Sequence, residues 1–322
     1  MQTRTLGSTD LRVSALGLGT VELGMPYGIG RPPPPDDRLC LRLLHRARDQ
    51  GVTYIDTAPA YGRSEELVGR AFPGARGVVV ATKVSLRDDG GGLLPPQRLS
   101  RAMGDSVDRS RRRLSVETLD LLQIHNLGEG ELSEALLAAM AEQVEAGHVR
   151  HWGVSTYGRL APREALRHRR SVDVLQVAYS ILDRTLEEEI LPRCRERNVG
   201  LVVRSVFLQG VLSARRRDLG HSLEPLRRAS DAAARVADGL GIGLPDLALR
   251  FAFHESRAHV TLVGTAQPNE LDANLRALEA GPLPSDAVEE LRRIDVEDES
   301  LLHPGTWNPL PEGPNPCRKH RR

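Results

Sequence analysis

The chain has 322 residues, 40% of them apolar, with a formal net charge of +1. That length suits one large α/β domain as well as two smaller ones, and the apolar share can fill a sizeable core. A near-neutral balance offers no global field for nucleic acid or an anionic membrane surface.

The opening "MQTRTLGSTD" lacks an apolar h-region, and no stretch is long enough to span a bilayer. Cys40, Cys194 and Cys317 are far apart, odd in number and outside any CxxC. A reduced, cytoplasmic protein without a membrane partner is expected. Cys40 and Cys194 fall in helical patterns and read as packing residues.

"RTLGSTDLRVS" has an apolar–turn–apolar form that predicts a hairpin capping the bottom of the fold. Eight short apolar runs follow: "SALGLGT", "VTYID", "GVVVATK", "LDLLQIH", "VRHWGVS", "VDVLQVA", "VGLVVRS" and "HVTLVGT". Amphipathic patterns at 36–50, 97–113, 133–146, 159–168, 186–197, 228–241 and 269–279 lie between them. Strands alternating with helices predict parallel βα units, and eight units predict a closed (β/α)8 TIM barrel. Residues 1–322 are expected to form one domain, with 303–322 an irregular tail near the barrel mouth. A doubly wound nucleotide-binding sheet would carry GxGxxG after its first strand. In "GLGTVELG", Gly17 and Gly19 fit but Glu22 stands at the third position, so that fingerprint fails.

Three long connections follow strand ends: "ELGMPYGIGRPPPPDD", "SLRDDGGGLLPPQ" and "SVFLQGVLSARRRDLGHSLEP". Barrel enzymes keep their sites on that face. Three polar residues also end successive runs there: Asp56, Lys83 and His125. Tyr61 follows Asp56 on a loop, because Pro59 disfavours helix between them. Four titratable groups thus converge on one rim.

Their chemistry suits carbonyl reduction. A carbonyl gaining a hydride develops an alkoxide and needs a proton. Tyrosine can supply it if the phenolate, with an ordinary pKa of about 10, is stabilised. Lys83 as an ammonium would do so, with Asp56 keeping it charged and oriented. His125 could donate a hydrogen bond to the substrate oxygen. Each residue alone has a plainer reading: a structural ion pair, a satisfied polar histidine, a packing tyrosine. Their joint placement at successive strand ends favours chemistry.

At this point the sequence resembles the aldo-keto reductase family over nearly its whole length. The matching segments are "GLGT", "GVTYIDTAPAYGRSEELVG", "VVVATKVS", "SVDRSRRRLSVETLDLLQIHN", "VRHWGVST", "VDVLQVAYSILDR" and "LVGTAQPNELDANL". The resemblance implies a nicotinamide cofactor, NADP(H) or NAD(H), and a catalytic tetrad falling on Asp56, Tyr61, Lys83 and His125. It brings Gly19, Thr20 and Asp56 to the cofactor and places the carboxamide near Ser155, Thr156 and Gln176. Thr156 stands where asparagine is common, so one amide contact must change. "SVFLQG", with Ser205, Val206, Phe207, Gln209 and Gly210, resembles the segment that holds the pyrophosphate. Gly264, Thr265, Gln267, Glu270 and Asn274 match the adenosine end. Arg204 falls where many members stack an aromatic ring on the nicotinamide; the alternative is a barrel ion pair.

Other signals are weaker. His148 and His151 lack a third ligand pattern, so no metal is expected. "RSRRRLS" reads as a solvated helix face with Leu114 inward. Trp307 is either a wall of the substrate pocket or packed on the barrel side. The implied activity is NAD(P)(H)-dependent reduction of an aldehyde or ketone, or the reverse, on a small-molecule carbonyl or alcohol. One rival is a non-catalytic cofactor-binding subunit on the same barrel. Another is a barrel lyase, which a charged Lys83 beside Asp56 argues against.

Overall fold

A computed structural model describes residues 1–167 and 172–307. Strands β1 (Thr3–Thr5) and β2 (Arg12–Ser14) form an antiparallel hairpin. Leu6, Leu11 and Val13 of this hairpin pack against Tyr54, Leu121, Val174 and Val260, which plugs the barrel bottom as expected.

Eight strands then close a parallel barrel in chain order. They are β3 (Leu16–Gly19), β4 (Tyr54–Asp56), β5 (Val79–Val84), β6 (Leu119–Leu127), β7 (Val149–Thr156), β8 (Val174–Ala178), β9 (Gly200–Arg204) and β10 (Val260–Gly264). The surrounding helices are α1 (Val21–Gly24), α2 (Asp37–Asp49), α3 (Ser64–Ala71), α4 (Pro96–Leu114), α5 (Glu134–Glu145), α6 (Leu160–Arg167), α7 (Ile190–Glu196), α8 (Glu224–Gly239), α9 (Leu244–Glu255), α10 (Pro268–Glu279) and α11 (Ser285–Arg292).

Local sequence explains the helix starts. The Asp36 side chain caps α2 by accepting the Leu39 N–H at 2.8 Å, which satisfies one of the orphan donors of the first turn. Cys40, Leu43, Leu44 and Ala47 then recur on one face and are fully buried. Each such leucine contributes about 1.5–3 kcal/mol by burial. Ser133 caps α5 in the same way.

Besides the single-turn α1, three helices escape the periodic reading. Helix α3 begins with the buried polar residues Ser64 and Glu65, which break its apolar stripe. Helix α9 is buried on most of its surface, from Leu244 to Ala252, so it lacks the polar face that creates the pattern. Helix α11 is short and buries only Ala287 and Leu291. Helix α8 begins at Glu224, four residues before the predicted 228. Residue 168 of the predicted 159–168 helix lies outside the described residues, as do Cys317 and most of the tail.

The strand register fixes which side chains share a height inside the barrel. Following the pairs from Asp56 across Ala81, Leu121 and His151, and extending the offsets round the barrel, returns to position 48, eight residues earlier. A shear of eight means that a level layer advances one residue per strand. Gly19, Lys83, Ser155 and Arg204 therefore form one inward layer. Asp56, Gln123, Gln176 and Leu262 form the next one down. Gly17, Ala81, Gly153 and Val202 lie below that, above a layer of Tyr54, Leu121, Val174 and Val260.

At the bottom, His151 Nε2 lies 2.7 Å from Asp10 and Nδ1 lies 3.4 Å from Asp173. The Asp173 contact, reinforced by Asp10, raises the imidazole above its ordinary pKa despite burial. A raised pKa stabilises the fold fully below the unfolded value of ~6.5 and less as pH climbs through the folded value. The stability gap between parent and His151→Gln should therefore be wider at pH 5.5 than at pH 8.5. Urea midpoints at both values check this; equal gaps would show that the imidazolium makes no such contribution.

Candidate active site

The loop after β4 carries Tyr61 and is clamped from several sides. Thr20 Oγ1 donates to the Asp56 carbonyl at 2.8 Å, and Ser64 Oγ meets both Thr20 Oγ1 at 2.5 Å and Thr57 Oγ1 at 2.8 Å. Glu65 is buried, accepting from Thr82 Oγ1 at 2.7 Å and pairing with Arg113 at 3.2 Å. Gly24 lets this loop approach: a Cβ built there would sit 1.8 Å from the Tyr61 carbonyl oxygen. Any larger residue must push Tyr61 aside.

Beneath Tyr61, Lys83 Nζ donates to Asp56 Oδ1 at 2.6 Å and to the Thr57 carbonyl at 3.0 Å. Lys83 is 1% exposed and Asp56 4%, so this is a buried ion pair. Burial pulls the Lys83 ammonium below its ordinary pKa, against the pull of Asp56. Two acceptors at such distances match the ammonium form. The second Asp56 oxygen accepts from Gln176 Nε2 at 2.8 Å, and Gln176 Oε1 accepts from Ser155 Oγ at 3.0 Å. A continuous buried chain thus runs Lys83, Asp56, Gln176, Ser155.

Tyr61 faces two of the other expected residues. Lys83 Nζ lies 4.8 Å from its ring centroid, and the His125 ring stands edge-on to it at 5.7 Å. Burial, then the Asp56 charge, raise the Tyr61 phenol above its ordinary pKa, with Arg204 opposing. Burial and the Lys83 and Arg204 charges lower the His125 imidazole to about 3. At neutral pH, then, this geometry presents a neutral phenol and a neutral imidazole beside the buried Lys83–Asp56 pair. The four residues expected together at the rim are together.

Arg204 also points into the mouth. Its guanidinium stacks 4.0 Å from the Tyr157 ring centroid and donates to the Thr156 carbonyl at 3.0 Å and Ser205 Oγ at 3.1 Å. It makes no ion pair with a carboxylate among the described residues, so the barrel ion pair considered for it is absent there.

The long loops close over one side. Ile29 N–H donates to the Gln209 carbonyl at 3.0 Å. Gly28 has φ +78°, and a Cβ there would sit 3.1 Å from that same carbonyl. Ser205, Leu208 and Gln209 all hold positive φ, at 62°, 44° and 56°. Non-glycine residues in this region cost on the order of 1–3 kcal/mol each and concentrate at ligand clamps. Thr156 Oγ1 and Gln209 Oε1 are buried without a hydrogen-bond partner among the described residues. Strained backbone and orphaned polar atoms on one face suit a polar extended ligand.

At the far end, Thr265 Oγ1 donates to Glu270 at 2.5 Å. Gly264 adjoins Glu22, whose Oε1 lies 3.6 Å from a Cβ built on that glycine. Asn274 is buried, whereas Gln267 and Glu270 are exposed.

The family model described as the aldo/keto reductase family matches residues 15–296. The chain belongs to the aldo/keto reductase family. It is 28% identical over 295 residues to the aldo-keto reductase YhdN of Bacillus subtilis, covering 85% of this chain and 87% of that protein. It is 27% identical to pyridoxal 4-dehydrogenase of Microbacterium luteolum, covering 84% and 91%. Among solved structures it resembles the holo form of aldo-keto reductase AKR11C1 from Bacillus halodurans, with a TM-score of 0.74, 26% identity, and 91% and 96% coverage. Aldo-keto reductases are oxidoreductases that work with nicotinamide cofactors on small molecules, so the membership shows an oxidoreductase scaffold.

Sequence reasoning passed over Tyr157, Glu22 and Gln123, and also Tyr27, within electrostatic reach of Tyr61, Tyr157 and Arg204, and Arg215, beside Gly28 and Gly210. Gln123 was detectable: it precedes His125 by two, which in a strand means the same inward face. Tyr157 directly follows Ser155 and Thr156. Glu22 lies in the four-residue α1, and Tyr27 on the long loop after it, whose path no local pattern dictates. The weaker signals resolve as packing. Trp307 is buried in the main apolar core and donates Nε1–H to the Leu301 carbonyl at 2.8 Å. Leu114 is buried as expected, but Arg113 of "RSRRRLS" reaches the buried Glu65 rather than only solvent. Among the described residues there is no group of three metal-ligating side chains and no helix long and apolar enough to cross a membrane.

Proposed function

We propose that this aldo-keto reductase moves a hydride between NAD(P)(H) and the carbonyl or alcohol carbon of a small molecule, with Tyr61 as the acid and base. The observation that carries this reading is the buried Asp56–Lys83 pair, 2.6 Å apart, with its ammonium 4.8 Å from the Tyr61 ring. The nicotinamide supplies the hydride. In reduction, Tyr61 gives its proton to the oxygen as negative charge develops there. The phenolate left behind is stabilised by the Lys83 ammonium, which Asp56 holds in place. The neutral His125 imidazole orients the carbonyl oxygen by donating a hydrogen bond. In oxidation the same groups run in reverse.

For the cofactor, the reading assigns Ser155, Thr156 and Gln176 to the carboxamide. The unpartnered Thr156 Oγ1 supports a polar contact there. Gly19, Thr20 and Arg204 adjoin the ring, Ser205 to Gly210 the pyrophosphate, and Gly264, Thr265, Gln267, Glu270 and Asn274 the adenosine. The chain 1–322 is taken as one domain. Cys40 and Cys194 are free and buried, which suits a reducing cytoplasm.

A carbonyl and alcohol panel followed by nicotinamide absorbance tests the reading. Cofactor binding without turnover of any compound would instead support a regulatory subunit. Because one relative is a pyridoxal 4-dehydrogenase, pyridoxal and aromatic aldehydes belong in that panel.

Arg204 sharpens the test. The oxidised nicotinamide carries a positive charge that the reduced ring lacks, and a fixed guanidinium beside it disfavours that form. Arg204→Leu should reduce the preference for reduced over oxidised cofactor by about tenfold, or ~1.4 kcal/mol. Fluorescence titration of both forms measures this; an unchanged ratio would place Arg204 away from the ring.

A further inference from the structure

The two glutamines in the layer of Asp56 differ in one respect. Gln176 spends both ends of its amide, donating to Asp56 and accepting from Ser155. Gln123 is 0% exposed, yet neither its Oε1 nor its Nε2 has a hydrogen-bond partner among the described residues. Its Cα is the register partner of Lys83 on the neighbouring strand, so it faces the barrel interior beside the ion pair.

A second orphan comes from below. Tyr54 is also 0% exposed, and its hydroxyl has no partner. Its ring passes Gly17: Cδ1 lies 2.9 Å from a Cβ built on that glycine. The layer between Tyr54 and Asp56 consists of Gly17, Ala81, Gly153 and Val202, and the Tyr54 ring shares the room over Gly17 with Leu262 Cδ2 and Val260 Cγ1, which lie 2.7 and 2.8 Å from that same Cβ position. After burial itself, the Asp56 charge is what raises the Tyr54 phenol above its ordinary pKa. The hydroxyl therefore senses that carboxylate without a direct bond to it.

Buried amides and hydroxyls are satisfied by protein groups or by ordered water, and a buried water takes two to four polar partners. We propose that the barrel interior directly beneath the Asp56–Lys83 pair holds ordered water bound by the Gln123 amide and the Tyr54 hydroxyl, and that Gln123 acts through it as a positioning residue for the pair. Each Asp56 oxygen uses one lone pair on Lys83 or Gln176 and keeps another for such a donor. A donor from below fixes the carboxylate and stabilises its charged form, which in turn favours the ammonium. The other groups facing the pair are Tyr61 from the β4 loop, Glu65 from α3, His125 from β6 and Arg204 from β9. None of these approaches from the barrel floor.

The inference about Gln123 rests on Lys83 and Asp56 acting in turnover; the water site itself does not. Gln123→Met and Tyr54→Phe each remove a polar group while keeping volume. Each should move the alkaline limb of the kcat profile by about one pH unit downward. Because both substitutions remove the same bridge, the double variant should shift no further than either single. Additive shifts, or an unmoved limb in the well-folded Tyr54→Phe, would overturn the proposal. A crystal structure with resolved solvent provides the second measurement. Density within hydrogen-bond reach of both Gln123 and Tyr54 supports the site, and a dry interior with Gln123 bonded to protein overturns it. If the parent protein turns over no carbonyl, the enzymatic reading falls and this solvent measurement alone decides the water site.

Discussion

Tyr61→Phe should fold and bind cofactor like the parent and lose turnover by ~10²–10⁴, the span of a removed general acid. The reason lies in the protonation states around it. His125 is held neutral, with its pKa lowered to about 3, so it has one N–H to donate and no labile proton to give at neutral pH. Lys83 is committed to Asp56 and the Thr57 carbonyl. Tyr61 is the remaining proton source that faces the mouth. Its raised pKa keeps the phenol protonated until an alkoxide, a far stronger base, forms against it. Lys83 then lies where the new phenolate charge needs it. Phenylalanine keeps the ring and its packing on His125 and Lys83 but has no proton. Single-turnover rates with bound reduced cofactor separate this step from binding. Turnover within tenfold of the parent, in a variant with unchanged melting, would remove Tyr61 from the acid role.

Much of this arrangement was legible in the sequence because it depends on strand ends. Asp56, Lys83 and His125 terminate apolar runs, and a parallel barrel must bring such ends to one rim. The same logic yields the barrel, since eight runs alternate with helices. What escaped depended on long-range geometry. Helix α9 is buried by neighbours on most sides, so its sequence lacks the two-faced pattern that marks a helix. The clamp of Thr20, Thr57 and Ser64 joins three segments by hydroxyls whose partners no spacing encodes. Gln123 was visible as a polar residue on an inward face, but its lack of a partner appears only when its neighbours are placed. Arg204 was legible as the residue that ends β9. Its stacking on Tyr157 needed the loop after β7 to fold back, which local propensity does not specify.

The adenosine end leads to the second large effect. A 2′-phosphate is nearly dianionic at neutral pH and is best held by arginine or lysine. In the segment resembling that subsite, the chain offers Gly264, Gln267 and Glu270 instead. The structure adds a second carboxylate, Glu22, beside Gly264. Burial raises Glu22 above its ordinary pKa, and the nearby Glu270 charge adds to this while Arg215 opposes it. Two acidic groups therefore already repel one another where NADPH would add more negative charge. Glu270 is held toward this end by Thr265 in the first turn of α10. A carboxylate so placed can accept a hydrogen bond from a free ribose 2′-OH. Arg276 is exposed on the same helix, within the electrostatic reach of Asp272, which the exposed Arg46 already pairs at 2.7 Å. We therefore expect NADH to serve at least comparably to NADPH. Glu270→Arg should move the kcat/KM ratio toward NADPH by more than tenfold, because it replaces repulsion with a phosphate-binding cation. Steady-state kinetics with one carbonyl substrate and both cofactors decide the matter. A parent preference for NADPH above ~100-fold, roughly 2.7 kcal/mol, would mean that cations from elsewhere in the chain outweigh both carboxylates.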